Sequence, residues 1–295
     1  MPELPEVQTV VDQLIARNLA GDTIISGRVF WKKTLAELSM PQFLHHVKNT
    51  TIEDIRRRGK FIVLEISGPH TLLIHLRMTG RLYLAGPDHL PQKHEQVVLE
   101  LQSGKHLVFY DPRKFGRFYL TPAPEKKLRH LGPEPLSTGF TTKVLARRLN
   151  ARKRMLKPLL LDQRFIAGLG NIYVDEALWH SRLHPLRRSH TLTPREIAAL
   201  YRCIRKVLRQ GVQNGGTTLG QGGATFYAAP GAKGRNRRAL KVFRKAGQPC
   251  PRCKTIIERL LVGRRSTFIC CRCQPADPKI PRRQIHPTGP VPHGR

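Results

Sequence analysis

The chain has 295 residues, 40% of them hydrophobic, and 52 Lys and Arg against 20 Asp and Glu, a formal net charge of +32 at pH 7. This length suggests two domains with a small appendage. The charge calls for a polyanionic partner, nucleic acid first, although a ribosomal or membrane-surface partner explains it equally well. No run of 18 apolar residues and no charged-then-apolar leader occurs, so neither a membrane span nor a secretory signal is expected. A reducing, cytoplasmic location follows, and the six cysteines are expected as metal thiolates rather than disulfides.

The opening Met1-Pro2-Glu3-Leu4-Pro5-Glu6 reads either as an irregular start with two prolines or as chemistry. The small ring of Pro2 predicts removal of Met1, which leaves a secondary amine. An α-amino group has a pKa of about 7.7–8.0, so part of it is neutral at pH 7 and able to attack a carbonyl carbon. Glu3 and Glu6 lie within reach to move protons. Val7, Val10, Val11, Leu14 and Ile15 recur at helical spacing, and Gly21 is a stop.

From about Thr23 to Leu120 the chain reads as short strands, among them 61–66, 71–76, 96–101 and 107–110. This pattern predicts a β-sandwich or flattened barrel. Three turns within it stand out. Arg56-Arg57-Arg58-Gly59-Lys60 is basic before a strand, which also suits a solvated edge. Met78, in His75-Leu-Arg-Met78-Thr-Gly80, could fill the hole left by an extruded base or simply a core gap. Arg113 and Phe115, in Asp111-Pro-Arg-Lys-Phe-Gly116, could pair with an orphaned base and stack on its neighbour, or form an ordinary turn.

Four prolines between Thr121 and Pro135 suggest a domain connection. Beyond them the pattern turns helical, with a helix expected over 143–161, broken near Pro158. Gly168-Leu-Gly170-Asn171 then opens a second helix, with Asn171 as its cap and backbone N–H groups that suit phosphate. A plain helix–turn–helix packing element fits the same residues. Thr193-Pro-Arg-Glu196 is a capping box, and a Gly- and Ala-rich loop spans roughly Gly220 to Ala239. Cys250-x2-Cys253 and Cys270-x2-Cys273, sixteen residues apart, suit one tetrahedral, structural Zn²⁺, with Cys203 and Cys271 left out. Arg264-Arg265-Ser-Thr267 between the knuckles forms a basic hairpin tip. Six prolines and few apolar residues predict disorder from Gln274 to Arg295.

Together the motifs resemble the formamidopyrimidine-DNA glycosylases, a family that includes endonuclease VIII. The resemblance spans about residues 2–273. It rests on Pro-Glu-Leu-Pro-Glu-Val at the start, the three turns, the long match from Asp162 to Glu176, and the four cysteines. It implies an α+β protein: an N-terminal β-sandwich with a leading helix, then a helical helix–two-turn–helix domain with a zinc-ribbon hairpin. The expected divisions are 1–132, 133–246, 247–274 and a basic tail at 275–295. The resemblance further implies Pro2 as nucleophile and Glu3 as proton shuttle, and includes Lys60 and Arg265, as phosphate contacts, in the catalytic set. Met78, Arg113, Phe115, Lys157 and Asn171 are then DNA contacts, and zinc is purely structural. The implied activity is excision of oxidised purines from double-stranded DNA, followed by strand cleavage at the abasic site, by a monomer working with the nucleoid and no membrane. Endonuclease VIII relatives usually carry Gly in place of Leu4. An enzyme for oxidised pyrimidines and a non-catalytic DNA-binding zinc protein are the alternatives. Val242-Phe-Arg-Lys-Ala-Gly247 departs from the family's Val-Tyr-Gly-Arg-x-Gly.

Overall fold

The computed structural model describes residues 1–219 and 234–276. The expected loop over Gly220–Ala239 and the tail therefore fall largely outside the described residues. Those described form two compact units. One comprises Met1–His130 with Gly211–Arg237; the other comprises Leu131–Gln210 with the stretch from Arg238.

In the first unit, α1 (Leu4–Ala16) buries Leu4, Val7, Val10, Val11 and Leu14 on one stripe. It stops before Gly21, because Asn18 already turns left-handed at φ 56°. Eight strands follow: β1 (Thr23–Val29), β2 (Thr50–Arg58), β3 (Phe61–Ile66), β4 (Thr71–His75), β5 (Arg81–Ala85), β6 (Glu95–Leu101), β7 (His106–Tyr110) and β8 (Arg117–Thr121). The short helix α2 (Met40–Val47) lies between β1 and β2, and α3 (Pro124–Leu128) follows β8. The strand order is β5-β7-β6-β1-β2-β3-β4-β8, with every pairing antiparallel. The two halves are joined only by the short β1–β2 register, Thr23 to Thr51 and Ile24 to Thr50.

Inward residues of both halves make one core, Leu82, Val97, Leu99 and Phe109 from one, Ile62, Leu64, Leu72, Ile74 and Phe118 from the other, and the α1 stripe packs into it. This is the sandwich the alternating strands predict. Each such burial contributes roughly 1.5–3 kcal/mol, so α1 is fastened to the sandwich and its first residues are held in place.

In the second unit the expected helix over 143–161 is two helices, α4 (Thr142–Asn150) and α5 (Leu156–Leu161). The break falls at 151–155 rather than at Pro158. That proline sits in the first turn of α5, where a missing N–H costs nothing. The next helices are α6 (Asn171–His180) and α7 (Pro194–Gln213). The predicted capping box opens α7: Thr193 N–H donates to Glu196 Oε2 at 2.7 Å, and Glu196 N–H to Thr193 Oγ1 at 3.3 Å. The hairpin β9 (Glu258–Val262) and β10 (Arg265–Ile269) turns through Gly263 and Arg264, both at positive φ. That two-residue loop carries the strand twist across the turn.

Candidate active site

Pro2 and Glu3 are buried at the head of α1, whereas Met1 is 47% exposed. Glu6, also buried, organises the backbone around them. One of its carboxylate oxygens accepts the Glu3 N–H at 2.8 Å and the other the Thr217 N–H at 2.7 Å. Thr217 lies just before the stretch that the structure leaves undescribed. A Cβ on Gly216, at φ 77°, would stand 3.1 Å from Glu6 Cγ, so the backbone there passes close over the carboxylate.

Lys60, at 5% exposure, occupies the two-residue turn between β2 and β3, which Gly59 enters at φ 58°. Arg57 braces this turn against α1, donating to Gly59 O and to Gln8 Oε1, each at 2.9 Å. His75 pairs across the sheet with Phe61, next to Lys60. Burial first, then the charges of Arg77 and Lys60, push its imidazole down to about 3. Its Nδ1 accepts the Arg77 N–H at 3.0 Å, so in the neutral ring Nε2 carries the proton. His75, which the His-x-x-Met motif contains, is a titratable neighbour of Lys60 to which sequence reasoning gave no role. Met78, Arg113 and Phe115 stand out on loop tips, Met78 at 37% and Phe115 at 45% exposure, with the Arg113 guanidinium 4.8 Å above the Phe115 ring.

In the second unit Lys157 and Asn171 sit differently from what the sequence pattern suggests. Lys157 does not turn its ammonium to solvent. Its side chain has no exposed surface, and Nζ donates to Asp175 Oδ1 at 2.6 Å and to Ser266 O at 2.9 Å. A buried ammonium needs such partners, and α6 supplies the carboxylate. Burial pushes Asp175 up to about 6, opposed by the Lys157 charge and by the Phe268 N–H at 3.1 Å. Nor does Asn171 cap α6. Gly170 holds the cap position, and the Asn171 amide donates to Ser266 O at 2.9 Å, leaving its own Oδ1 without a protein partner. Lys157 and Asn171 thus converge on one carbonyl of β10, beside the exposed Arg265. The neighbouring buried Glu176, also missed in the sequence, accepts from the N–H groups of Lys241, Val242 and Phe243 at 2.8–2.9 Å.

The sulfurs of Cys250, Cys253, Cys270 and Cys273 lie within 4.8 Å of one another. Their separations, 3.9 Å for Cys250–Cys273, 3.4 Å for Cys253–Cys270 and 3.5 Å for Cys253–Cys273, match the edges of a tetrahedron with Zn–S bonds of about 2.3 Å. These four thiolates hold one zinc ion. Among the described residues no other group of three or more such ligands converges.

Three family models match the chain in order: the formamidopyrimidine-DNA glycosylase N-terminal domain over residues 1–118, its H2TH domain over 131–222, and the zinc finger found in FPG and IleRS over 247–276. A formamidopyrimidine-DNA glycosylase of Protochlamydia amoebophila is 46% identical across 93% of this chain and 99% of its own length. The chain belongs to the formamidopyrimidine-DNA glycosylase family. The protein of that name from Pelotomaculum thermopropionicum is 44% identical over 93% of this chain and 99% of its own. Among solved structures, Lactococcus lactis Fpg in complex with DNA containing an abasic site superposes with a TM-score of 0.85 at 33% identity, covering 93% of this chain and 100% of that one. The MutM (FPG) protein of Thermus thermophilus gives 0.83 at 36% identity, covering 94% and 100%. Family membership and the four-cysteine centre make this a base-excision repair DNA glycosylase with a zinc finger.

Proposed function

We propose that the enzyme excises oxidised purines, 8-oxoguanine and formamidopyrimidines, from double-stranded DNA and then cleaves the abasic strand, using the Pro2 amine after Met1 is removed. The observation that carries this reading is the buried Pro2-Glu3 pair at the head of α1, with Glu6 fixing the Glu3 backbone. The Pro2 nitrogen attacks the sugar C1′ as the glycosidic bond breaks and the base departs with its bonding electrons and a proton. Glu3 delivers a proton to the opened sugar oxygen. The resulting iminium acidifies the adjacent C2′–H, whose loss expels the 3′ phosphate; a second elimination expels the 5′ phosphate. Burial of Pro2 and Glu3 keeps water from the iminium while these steps proceed.

No helix among the described residues is long and apolar enough to cross a membrane, and we take the enzyme to act as a monomer on chromosomal DNA in the cytoplasm. The division into catalytic, helical, zinc-finger and tail segments follows the same reading. Lys60, Met78, Arg113, Phe115, Asn171 and Arg265 are its DNA contacts, with Lys157 acting from inside the second unit.

The experiment is borohydride trapping on a duplex with one 8-oxoguanine opposite cytosine. An adduct mapped by mass spectrometry to Pro2 is expected. An adduct only with thymine glycol would make the enzyme pyrimidine-directed. None with any oxidised or abasic duplex, in protein lacking Met1, would leave a DNA-binding protein without this chemistry.

A further inference from the structure

The three residues proposed to enter the duplex sit on two loops, and one buried carboxylate ties those loops together. Asp111 is wholly buried. Its Oδ1 accepts the Thr79 hydroxyl at 2.5 Å and the Arg113 N–H at 3.3 Å, and its Oδ2 accepts the Gly116 N–H at 2.7 Å. Thr79 directly follows Met78, and Gly116 directly follows Phe115. The Asp111 backbone is itself fixed. Its N–H donates to His94 O at 2.9 Å, and its carbonyl accepts the buried Gln96 amide at 3.0 Å.

The loops also share a wall. A Cβ on Gly80 would stand 2.9 Å from Phe109 Cε2 and 2.5 Å from Leu76 O; one on Gly116 would overlap Phe109 Cζ. The Phe109 ring, packed on Phe118 at 5.0 Å between centroids, therefore seats the feet of both loops with no spare room. The feet are rigid and joined, while the tips are exposed.

We propose that Asp111 and Thr79 form a positioning pair that makes the two loops one mechanical unit, so that Met78 enters the duplex together with Arg113 and Phe115. This rests on the reading of those three as DNA-inserting residues. Separating the loops strips the buried Asp111 Oδ1 of its Thr79 donor and leaves it only the longer Arg113 N–H bond, which disfavours partial insertion. A lesion site is then opened by the whole set of side chains or by none.

The test is a double-mutant cycle on the zinc-loaded, full-length enzyme. Met78→Ala, Phe115→Ala and their combination are compared in the wild-type background and in Thr79→Val, with Thr79→Ser as the conservative control. The readouts are single-turnover excision of 8-oxoguanine opposite cytosine and the fluorescence of 2-aminopurine placed beside the lesion. In wild type the combined variant is expected to be little slower than the worse single one. In Thr79→Val the two losses multiply, a difference of about fivefold or more, within the span of measured pair couplings. Thr79→Ser keeps the wild-type pattern, and Asp111→Ala, which leaves neither loop an acceptor, repeats the Thr79→Val pattern. A residue that only supports the fold would lower the melting temperature and leave the coupling unchanged in every background, and that result overturns the proposal. If Met78→Ala and Phe115→Ala each leave excision and fluorescence as in wild type, the insertion reading fails first and the positioning pair falls with it.

Discussion

Lys157 and Asp175 each bury a full charge with no exposed side-chain surface. Removing one member of such a pair strands the other, at a cost of about 3–5 kcal/mol, whereas replacing both is often close to neutral. Lys157→Met is therefore expected to destabilise the protein by that order in urea unfolding, and Lys157→Met combined with Asp175→Asn to recover much of the loss. A direct phosphate contact would behave in the opposite way, with stability unchanged and DNA affinity reduced. The sequence shows a lysine upstream of a DNA-binding turn and nothing of its direction. Its partners, Asp175 and the Ser266 carbonyl, lie 18 and 109 residues away, so no local pattern announces them. His75 and Asp111 were hidden for a related reason: both stand inside recognisable turns, yet their roles depend on burial and on bonds made across the sheet. By contrast the four clustered cysteines were legible, because CxxC spacing is a property of the chain itself.

At the scale of elements, the hairpin of β9 and β10 is held at one end by the zinc centre and at the other by Ser266 and Phe268. The Ser266 carbonyl accepts from Lys157 and Asn171, and the Phe268 N–H donates to Asp175. Structural zinc in small fingers supplies about 10–16 kcal/mol of apparent binding energy, more than a two-stranded hairpin makes for itself. Chelating the metal should release the hairpin and, with it, the placement of Asn171 and Arg265. Trp179 is a built-in reporter, since the Arg252 guanidinium, between Cys250 and Cys253, lies 4.1 Å above its ring. With Trp31→Phe leaving Trp179 as the single tryptophan of the two in the chain, chelation is expected to shift the emission and weaken DNA binding at least about tenfold, both reversed by zinc. Unchanged emission and affinity in metal-free protein would show that the hairpin stands without the ion. The sandwich and this hairpin were readable from alternation and glycine turns. The helix break at 151–155 was not, because Pro158 is the obvious breaker in the sequence and the first turn of α5 tolerates it.

Across the whole molecule, the described residues 211–219 and 234–237 belong to the first unit although their sequence continues the helical domain. The Thr217 N–H bond to Glu6 and the closeness of Gly216 to that carboxylate account for it, and both contacts span more than 200 residues of sequence. Net charge, by contrast, needs no fold to be read. An excess of +32 makes counterion release a leading contribution to DNA affinity, with log K falling against log salt at about −0.9 per phosphate contacted. The structure sharpens this into a residue-by-residue expectation. Arg265→Ala removes an exposed cation on the hairpin and Lys60→Ala removes the cation at the β2–β3 turn, so each should flatten the slope by about one unit if it meets a phosphate. Lys157→Met should leave the slope where it is, because that charge is already neutralised inside the protein. Titrating a lesion duplex against each variant from low to physiological salt separates the cases. A slope that drops in Lys157→Met and holds in Arg265→Ala would place the phosphate contacts the other way round.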